Sequence, residues 1–245
     1  MQGKTALITG GSRRVGAAIS RRLHAAGANL MIHYRSAVQE ARALQAELTA
    51  IRPDSVTLIQ ADLHETDGLP NLVHTTLERY GRLDVLVQNA SSFYATPIGS
   101  ISEHDWFDLI GTNLKAPLFL AQAAAAELRH RQGCIVHITD IHAERPMKEH
   151  VVYSIAKAGL VGLTRSLARE LGPEVRVNAV APGPILWPEG ESALDEVSRQ
   201  RIISHTIVKH IGHPEDIAEA VLYLIRAGFV TGQVINVDGG RSIKL

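Results

Sequence analysis

Short apolar runs alternate with longer amphipathic stretches along nearly the whole chain, and this rhythm limits its possible folds more than any other feature. The strand candidates are residues 4–9, 29–34, 55–60, 83–88, 134–139, 175–180 and 233–238. Several, such as LDVLVQ at 83–88, lack polar alternation, as strands covered on both faces do. Helical patterns fill 14–27, 37–50, 66–80, 103–130, 153–171 and 214–227. Alternation of this kind implies a parallel sheet. Right-handed crossovers then wind it doubly, with helices on both faces. The 245 residues suit one such α/β domain over 1–245. The rhythm breaks once, from Ala181 to about His213, where Pro182, Pro184 and Pro188 precede a short polar helix candidate. A long connection beyond a strand's carboxyl end is expected to serve as a substrate loop, here 184–213.

Charge and composition remove several function classes. Lys+Arg and Asp+Glu both number 25, so no global basic field exists to grip nucleic acid or an anionic membrane. The single Cys134 rules out a disulfide framework and a cysteine zinc site. The 12 histidines show no zinc spacing, and no metal is expected. Packing or surface roles are expected for most, while His142 and His150 flank the chemical centre described below. MQGKTALITGG is too soon broken by glycine to read as a signal peptide, and no apolar run is long enough to cross a bilayer. A cytoplasmic protein with a small-molecule substrate, and no nucleic-acid or membrane partner, is the expectation.

The first strand runs into Thr9-Gly10-Gly11-Ser12-Arg13-Arg14-Val15-Gly16 ahead of an Ala-rich helix. Glycines there let backbone approach a pyrophosphate, and the helix N-terminus supplies N–H donors. Arg14 stands where a middle glycine would be expected. A tight βα turn is the bland alternative; the place after the first strand favours a dinucleotide site in a Rossmann-type fold. An NAD site ends its second strand with Asp or Glu. This strand ends His33-Tyr34-Arg35-Ser36, so Arg35, with Arg13 or Arg14, is read as holding a 2′-phosphate, and the cofactor as NADPH. Ser36-x-x-Gln39 also reads as a helix capping box. Asp62, closing the third strand, is placed at the adenine amino group, or else is a turn residue. Asn89, Ala90 and Ser91 close the fourth strand, where small residues pass near the ribose.

Tyr153-Ser154-Ile155-Ala156-Lys157 sets a phenol and an ammonium on one helix face. A free phenol titrates near pH 10, and a neighbouring cation favours its ionised form. A packed tyrosine beside a surface lysine is the plain alternative.

TGGSRRVG, Asn89-Ala90-Ser91, Asn113, YSIAK, Pro182-Gly183 and Val237-Asp238-Gly239-Gly240 occur in order. Together they resemble the short-chain dehydrogenase/reductase family over essentially the whole chain. The resemblance implies a catalytic Tyr153 and Lys157, a supporting Asn113, and a homotetramer. It also implies cofactor contacts at Gly10, Arg13, Arg14, Val15, Gly16, Tyr34, Arg35, Ser36, Asp62, Leu63, Asn89, Ala90, Ser91, Thr139, Tyr153, Lys157, Pro182 and Gly183. The family normally carries serine thirteen residues before the tyrosine, where this chain has Asp140. An ionised aspartate there raises the phenol pKa and keeps Tyr153 protonated, or shares its proton. The opposing reading is a weak or inactive enzyme whose serine role is lost.

Asp140, Arg14 and the run Asn89-Ala90-Ser91-Ser92-Phe93-Tyr94 are similar to the pteridine reductase branch, including bacterial dihydromonapterin/dihydrofolate reductases. That likeness makes Phe93 the wall on which a pterin stacks and adds Arg14, Ser91, Asp140 and Tyr153 as substrate contacts. Pro184-Ile185-Leu186-Trp187-Pro188 has no clear counterpart in that branch; Trp187 is read as a further substrate contact covering the site, with simple packing as the alternative. Dihydrofolate is a further candidate substrate. Two readings stand against it: a short-chain carbonyl or 3-oxoacyl thioester reductase, and a non-catalytic NADP-binding sensor. The tail Arg241–Leu245 is also noted as able to reach a neighbouring site in a tetramer.

Overall fold

The computed structural model describes residues 1–187 and 195–243. Strand β1 (Thr5–Thr9) has no exposed position. Its pleat sends Ala6 and Ile8 into one core and Leu7 into the other, as a strand covered on both faces requires. The chain continues through α1 (Arg14–Ala25), β2 (Asn29–Tyr34), α2 (Val38–Ile51), β3 (Val56–Gln60), α3 (Leu69–Tyr80) and β4 (Val85–Gln88). Then come α4 (Glu103–Ile110), α5 (Ala116–Arg131), β5 (Cys134–Ile138), α6 (Val151–Glu170), β6 (Arg176–Pro182), α7 (Glu196–Ser204), α8 (Pro214–Arg226) and β7 (Val234–Val237). Among the described residues, seven strands pair in parallel in the order β3-β2-β1-β4-β5-β6-β7. They fall where the apolar runs place them. Helices α1, α2 and α8 supply one core, and α3, α5 and α6 the other.

The strand order reverses between β1 and β4. In open α/β sheets, ligands bind at the carboxyl ends of the strands at such a reversal. Thr9 lies opposite Gln88 in the register, so the segments beginning at Gly10 and Asn89 leave the sheet side by side.

Two local expectations are corrected. The pattern over 103–130 is not one helix: a π-helical turn, Gly111–Lys115, separates α4 from α5. Gly111 lies against the His64 ring, where a Cβ would stand 2.7 Å from Cδ2. Pro117 has no N–H to return to the Asn113 carbonyl, so the regular ladder cannot continue. Nor does Ser36 cap α2. The N-cap residue is Ala37, with no side-chain bond, and Ser36 instead faces the cleft described next.

The connection after β6 contains α7, whose Ser198 N–H donates to Asp195. Residues 188–194 of the expected 184–213 substrate loop, including Pro188, lie outside the described residues, as do Lys244 and Leu245 of the tail. Among the described residues no helix is long and apolar enough to cross a membrane.

Candidate active site at the β1/β4 switch point

The turn after β1 closes tightly because two glycines leave room for it. Gly10 has φ +59°, and its missing Cβ would lie 3.0 Å from the Ala90 Cα. A Cβ on Gly16 would fall 2.1 Å from the Gly10 carbonyl oxygen. Arg14, at the position read as a glycine substitute, takes φ +52°, a left-handed conformation that costs a non-glycine residue energy. Asn89 stitches this turn to β4. Its Nδ2 donates to the carbonyls of Thr9 at 3.1 Å and Gly10 at 2.9 Å. The Thr9 hydroxyl accepts from the N–H groups of Asn89 and Ala90.

Beside the turn lies a cleft of about 300 Å³. Of the expected cofactor contacts it gathers Gly10, Arg13, Arg14, Val15, Gly16, Tyr34, Arg35, Ser36, Asp62, Leu63, Asn89, Ala90 and Ser91. Three arginines and a glycine-lined floor suit a phosphorylated ligand. Gln60 holds the Arg35 carbonyl at 2.9 Å, fixing the backbone where the expected carboxylate-free strand end occurs.

Sequence reasoning missed three residues here. Thr9 is one. His33 is buried at the cleft: its Nδ1 accepts from Gly10 N–H at 3.2 Å and its Nε2 donates to the Ala61 carbonyl at 3.0 Å. Burial lowers its pKa, which keeps this acceptor available. His64 is the third and joins Asp62 to the α4 end. Nothing in the sequence marks either histidine, because the partners of His33, and those of the His64 ring beyond Asp62, lie on other segments.

The residues expected to react stand at the carboxyl ends of β4 and β5. Asp140 follows β5 and opens a short 3₁₀ turn; its Oδ1 accepts the His142 N–H at 2.8 Å. Its Oδ2 accepts the Tyr153 hydroxyl at 2.7 Å. Tyr153 and Lys157 lie in the first two turns of α6, both nearly fully buried. Lys157 Nζ donates to the Ile138 carbonyl at 3.0 Å and lies 5.6 Å from the Tyr153 ring centre. Burial first, and Asp140 second, push the Tyr153 pKa well above its usual 10.0. Burial pulls Lys157 down to about 8, with Asp140 opposing. The phenol is thus held protonated, the direction expected from an acid in the serine position. Asn113 Nδ2 donates to the carbonyls of Ser92 and Leu109, and its Oδ1 accepts from Ser91 at 2.6 Å. Ser91 therefore joins the cleft to the Asn113 turn.

The family model described as "Enoyl-(Acyl carrier protein) reductase" matches residues 10–242. Pteridine reductase 1 of Leishmania tarentolae is 34% identical, over 97% of this chain and 96% of that protein. The chain belongs to the short-chain dehydrogenase/reductase family. It is also 34% identical to a 3-oxoacyl-(acyl-carrier-protein) reductase of Staphylococcus aureus, over 97% of each chain. A blue fluorescent protein from a metagenomic library, solved in complex with NADPH, superposes with TM-score 0.90 at 36% identity over 98% of both chains. The protein is thus an oxidoreductase of the short-chain dehydrogenase/reductase kind.

The other expected residues of this short-chain dehydrogenase/reductase are distributed as follows. Thr139 is buried and donates to the Val180 carbonyl, tying β5 to β6. Pro182 ends β6, and Gly183 meets β7 so closely that a Cβ would stand 2.6 Å from the Asp238 Cα. Neither these three residues nor Asn113, Tyr153 and Lys157 line the glycine-turn cleft. Phe93 stacks on His150 at 4.8 Å and meets Tyr153 edge-on at 4.8 Å, leaving 48% of its surface exposed. Trp187 accepts from Arg14 through its carbonyl at 3.3 Å, and the Arg199 guanidinium lies 5.6 Å from its ring centre. Among the described residues no group of His, Cys, Asp and Glu is arranged to hold a metal ion.

Proposed function

We propose that the protein reduces pterins with NADPH, taking a dihydropterin to the tetrahydro form and also accepting oxidised pterin or dihydrofolate. The observation that carries this reading is the bond from Tyr153 to Asp140, in the place where carbonyl-reducing relatives are expected to present a serine. Reduction of a C=N bond leaves a basic nitrogen that takes up a proton. A phenol and a carboxylate sharing one proton, held by burial against ionisation of the phenol, form a donor for it.

When bound, NADPH supplies the hydride. Gly10, Arg13, Arg14, Val15 and Gly16 would hold its pyrophosphate; Tyr34, Arg35 and Ser36 its 2′-phosphate; Asp62 and Leu63 its adenine. Asn89, Ala90 and Ser91 would lie along the ribose, with Thr139, Pro182 and Gly183 at the end nearer Tyr153. The glycines without room for a Cβ, and a β2 end bearing Arg35 and no carboxylate, support this fit.

Tyr153 and Asp140 hold the transferable proton between Oη and Oδ2 and deliver it to ring nitrogen, directly or through water. Lys157 offsets the negative charge left behind, and Asn113 fixes the segment carrying Ser91. Phe93, braced by His150, offers a ring face to the flat heterocycle, which Arg14, Ser91 and Trp187 border. The protein acts in the cytoplasm as a homotetramer. Trp106 and Phe107 on α4 and Leu118 on α5 are exposed apolar side chains available to self-association.

The test is NADPH oxidation with dihydrobiopterin, dihydrofolate and an acetoacetyl thioester, for the wild type and D140S. Pterin turnover that collapses in D140S supports the proposal. Turnover of the thioester alone, or pterin turnover untouched by D140S, overturns it.

A further inference from the structure

We propose that His64 is a positioning residue that aims one oxygen of Asp62 at the 6-amino group of the cofactor's adenine. The inference rests on the NADPH reading above and goes beyond it, to a side chain that reading does not use. Asp62 lines the cleft just past the end of β3, on a segment with no regular structure. A carboxylate on such a segment has many rotations open to it, and its aim needs an outside anchor.

His64 supplies that anchor twice through a single oxygen. The His64 backbone N–H donates to Asp62 Oδ1 at 3.0 Å, and the ring Nδ1 donates to the same atom at 2.9 Å. Both bonds, the backbone one first, hold the Asp62 carboxyl below its usual range. With Oδ1 occupied, Oδ2 is the oxygen left to receive a donor from the cleft. A 6-amino group is such a donor. The 6-oxo group of a hypoxanthine is not, and would meet the carboxylate with repulsion.

The ring is itself held from the far side. Its Nε2 lies 3.2 Å from the Asp108 carbonyl, 3.3 Å from the Asp108 carboxylate and 3.2 Å from the Thr112 hydroxyl. The absence of a side chain on Gly111 lets the ring seat there; a Cβ would stand 2.7 Å from Cδ2. His64 therefore spans from Asp62 to the end of α4 and the π-helical turn, a fixed frame on another part of the chain. Asp62 is positioned by its own backbone turn through the His64 N–H and, through the His64 ring, by that frame.

The experiment compares equilibrium binding of NADPH with that of its hypoxanthine analogue, read by nucleotide fluorescence, in the wild type, H64A, H64N and D62N. The wild type is expected to favour the adenine form by roughly tenfold or more, the ratio for one charge-assisted hydrogen bond. D62N loses that preference. H64A falls toward the D62N ratio, while H64N, whose amide keeps a donor near the Nδ1 position, retains most of it. H64A at the wild-type ratio with D62N at unity overturns the role of His64 and leaves the adenine reading standing. Wild-type ratios in both H64A and D62N overturn the adenine reading and the role of His64 with it. Should H64A fail to fold, H64Q makes the same comparison, because its longer amide reaches toward Asp108 and away from Asp62.

Discussion

The Tyr153 hydroxyl donates to Asp140 Oδ2 at 2.7 Å, while Oδ1 of the same carboxylate is held by the His142 N–H at 2.8 Å. The acid is thus locked against rotation and turned toward the phenol. With burial added, ionising Tyr153 means placing a second negative charge beside the first in a poorly solvated site.

Replacing Asp140 by serine removes that charge, so the Tyr153 pKa falls toward its ordinary value. A phenol with a raised pKa keeps its proton to higher pH, and the variant is expected to lose it earlier. Ultraviolet titration of phenolate absorbance in the wild type, D140S and D140S/Y153F checks this. A D140S curve that overlays the wild type would show the carboxylate does not govern the phenol.

Lys157 gives a second pH signature. Burial lowers its pKa to about 8, against 10.5 in the open chain. Between those values the unfolded chain keeps a proton that the folded one has released, so stability rises with pH across the window. Below pH 8 the full penalty is present, about 3 kcal/mol at 1.36 kcal/mol per unit. Lys157→Met is therefore expected to be the more stable protein at pH 7, with an advantage that shrinks as pH climbs from 8 to 10.5. Thermal melts at pH 7 and pH 10 make the measurement; a methionine variant weaker at both would show that the ammonium is net stabilising.

Arg35→Ala should cost NADPH affinity roughly tenfold to a hundredfold, the range for charge-assisted hydrogen bonds to a phosphate. NADH, which has a hydroxyl at that position, should lose little. Calorimetric titration of both nucleotides decides it, and equal losses would remove the 2′-phosphate from Arg35.

Phe93→Ala should weaken the pterin and spare the nucleotide. Ring stacking is worth about 0.5–1.5 kcal/mol beyond simple burial, so a KM rise of roughly two- to tenfold is expected. Unchanged pterin KM, or an equal loss for NADPH, would assign Phe93 to packing with His150 and Tyr153 alone.

Gly16→Ala sets a methyl group against the Gly10 carbonyl, where the ideal Cβ lies 2.1 Å away. The turn must open, at about 1–3 kcal/mol of stability, and NADPH binding should fall with it. A melting temperature and nucleotide affinity equal to the wild type would show that the turn yields without cost.

Strand positions and the glycine turn were legible in the sequence because each is written in a local residue pattern, and the parallel sheet because strand and helix patterns alternate. A doubly covered strand writes its burial as an unbroken apolar run, as in β1 and β4. Tyr153 and Lys157 were legible for the same reason, since four residues on a helix bring side chains to one face. The absence of acid at the end of β2 could likewise be read directly, whereas the acid standing in a serine's place at Asp140 was legible only through the family resemblance.

Other features were decided by distant partners. Within the helical pattern over 103–130 only Pro117 hints at the break, and the seat of the His64 ring against Gly111 comes from another segment. Ser36 carries a capping signature, yet the start of α2 and the cleft beside it give it another setting. His33 and His64 look unremarkable along the chain; His33 joins the cleft, and His64 ties the cleft residue Asp62 to α4, only when β1, β2, β3 and α4 assemble around them. The chain by itself determined which residues are able to do chemistry, since that follows from side-chain type and local spacing. Only the tertiary structure decided which oxygens, nitrogens and carbonyls face one another, because those bonds join segments that share no sequence neighbourhood.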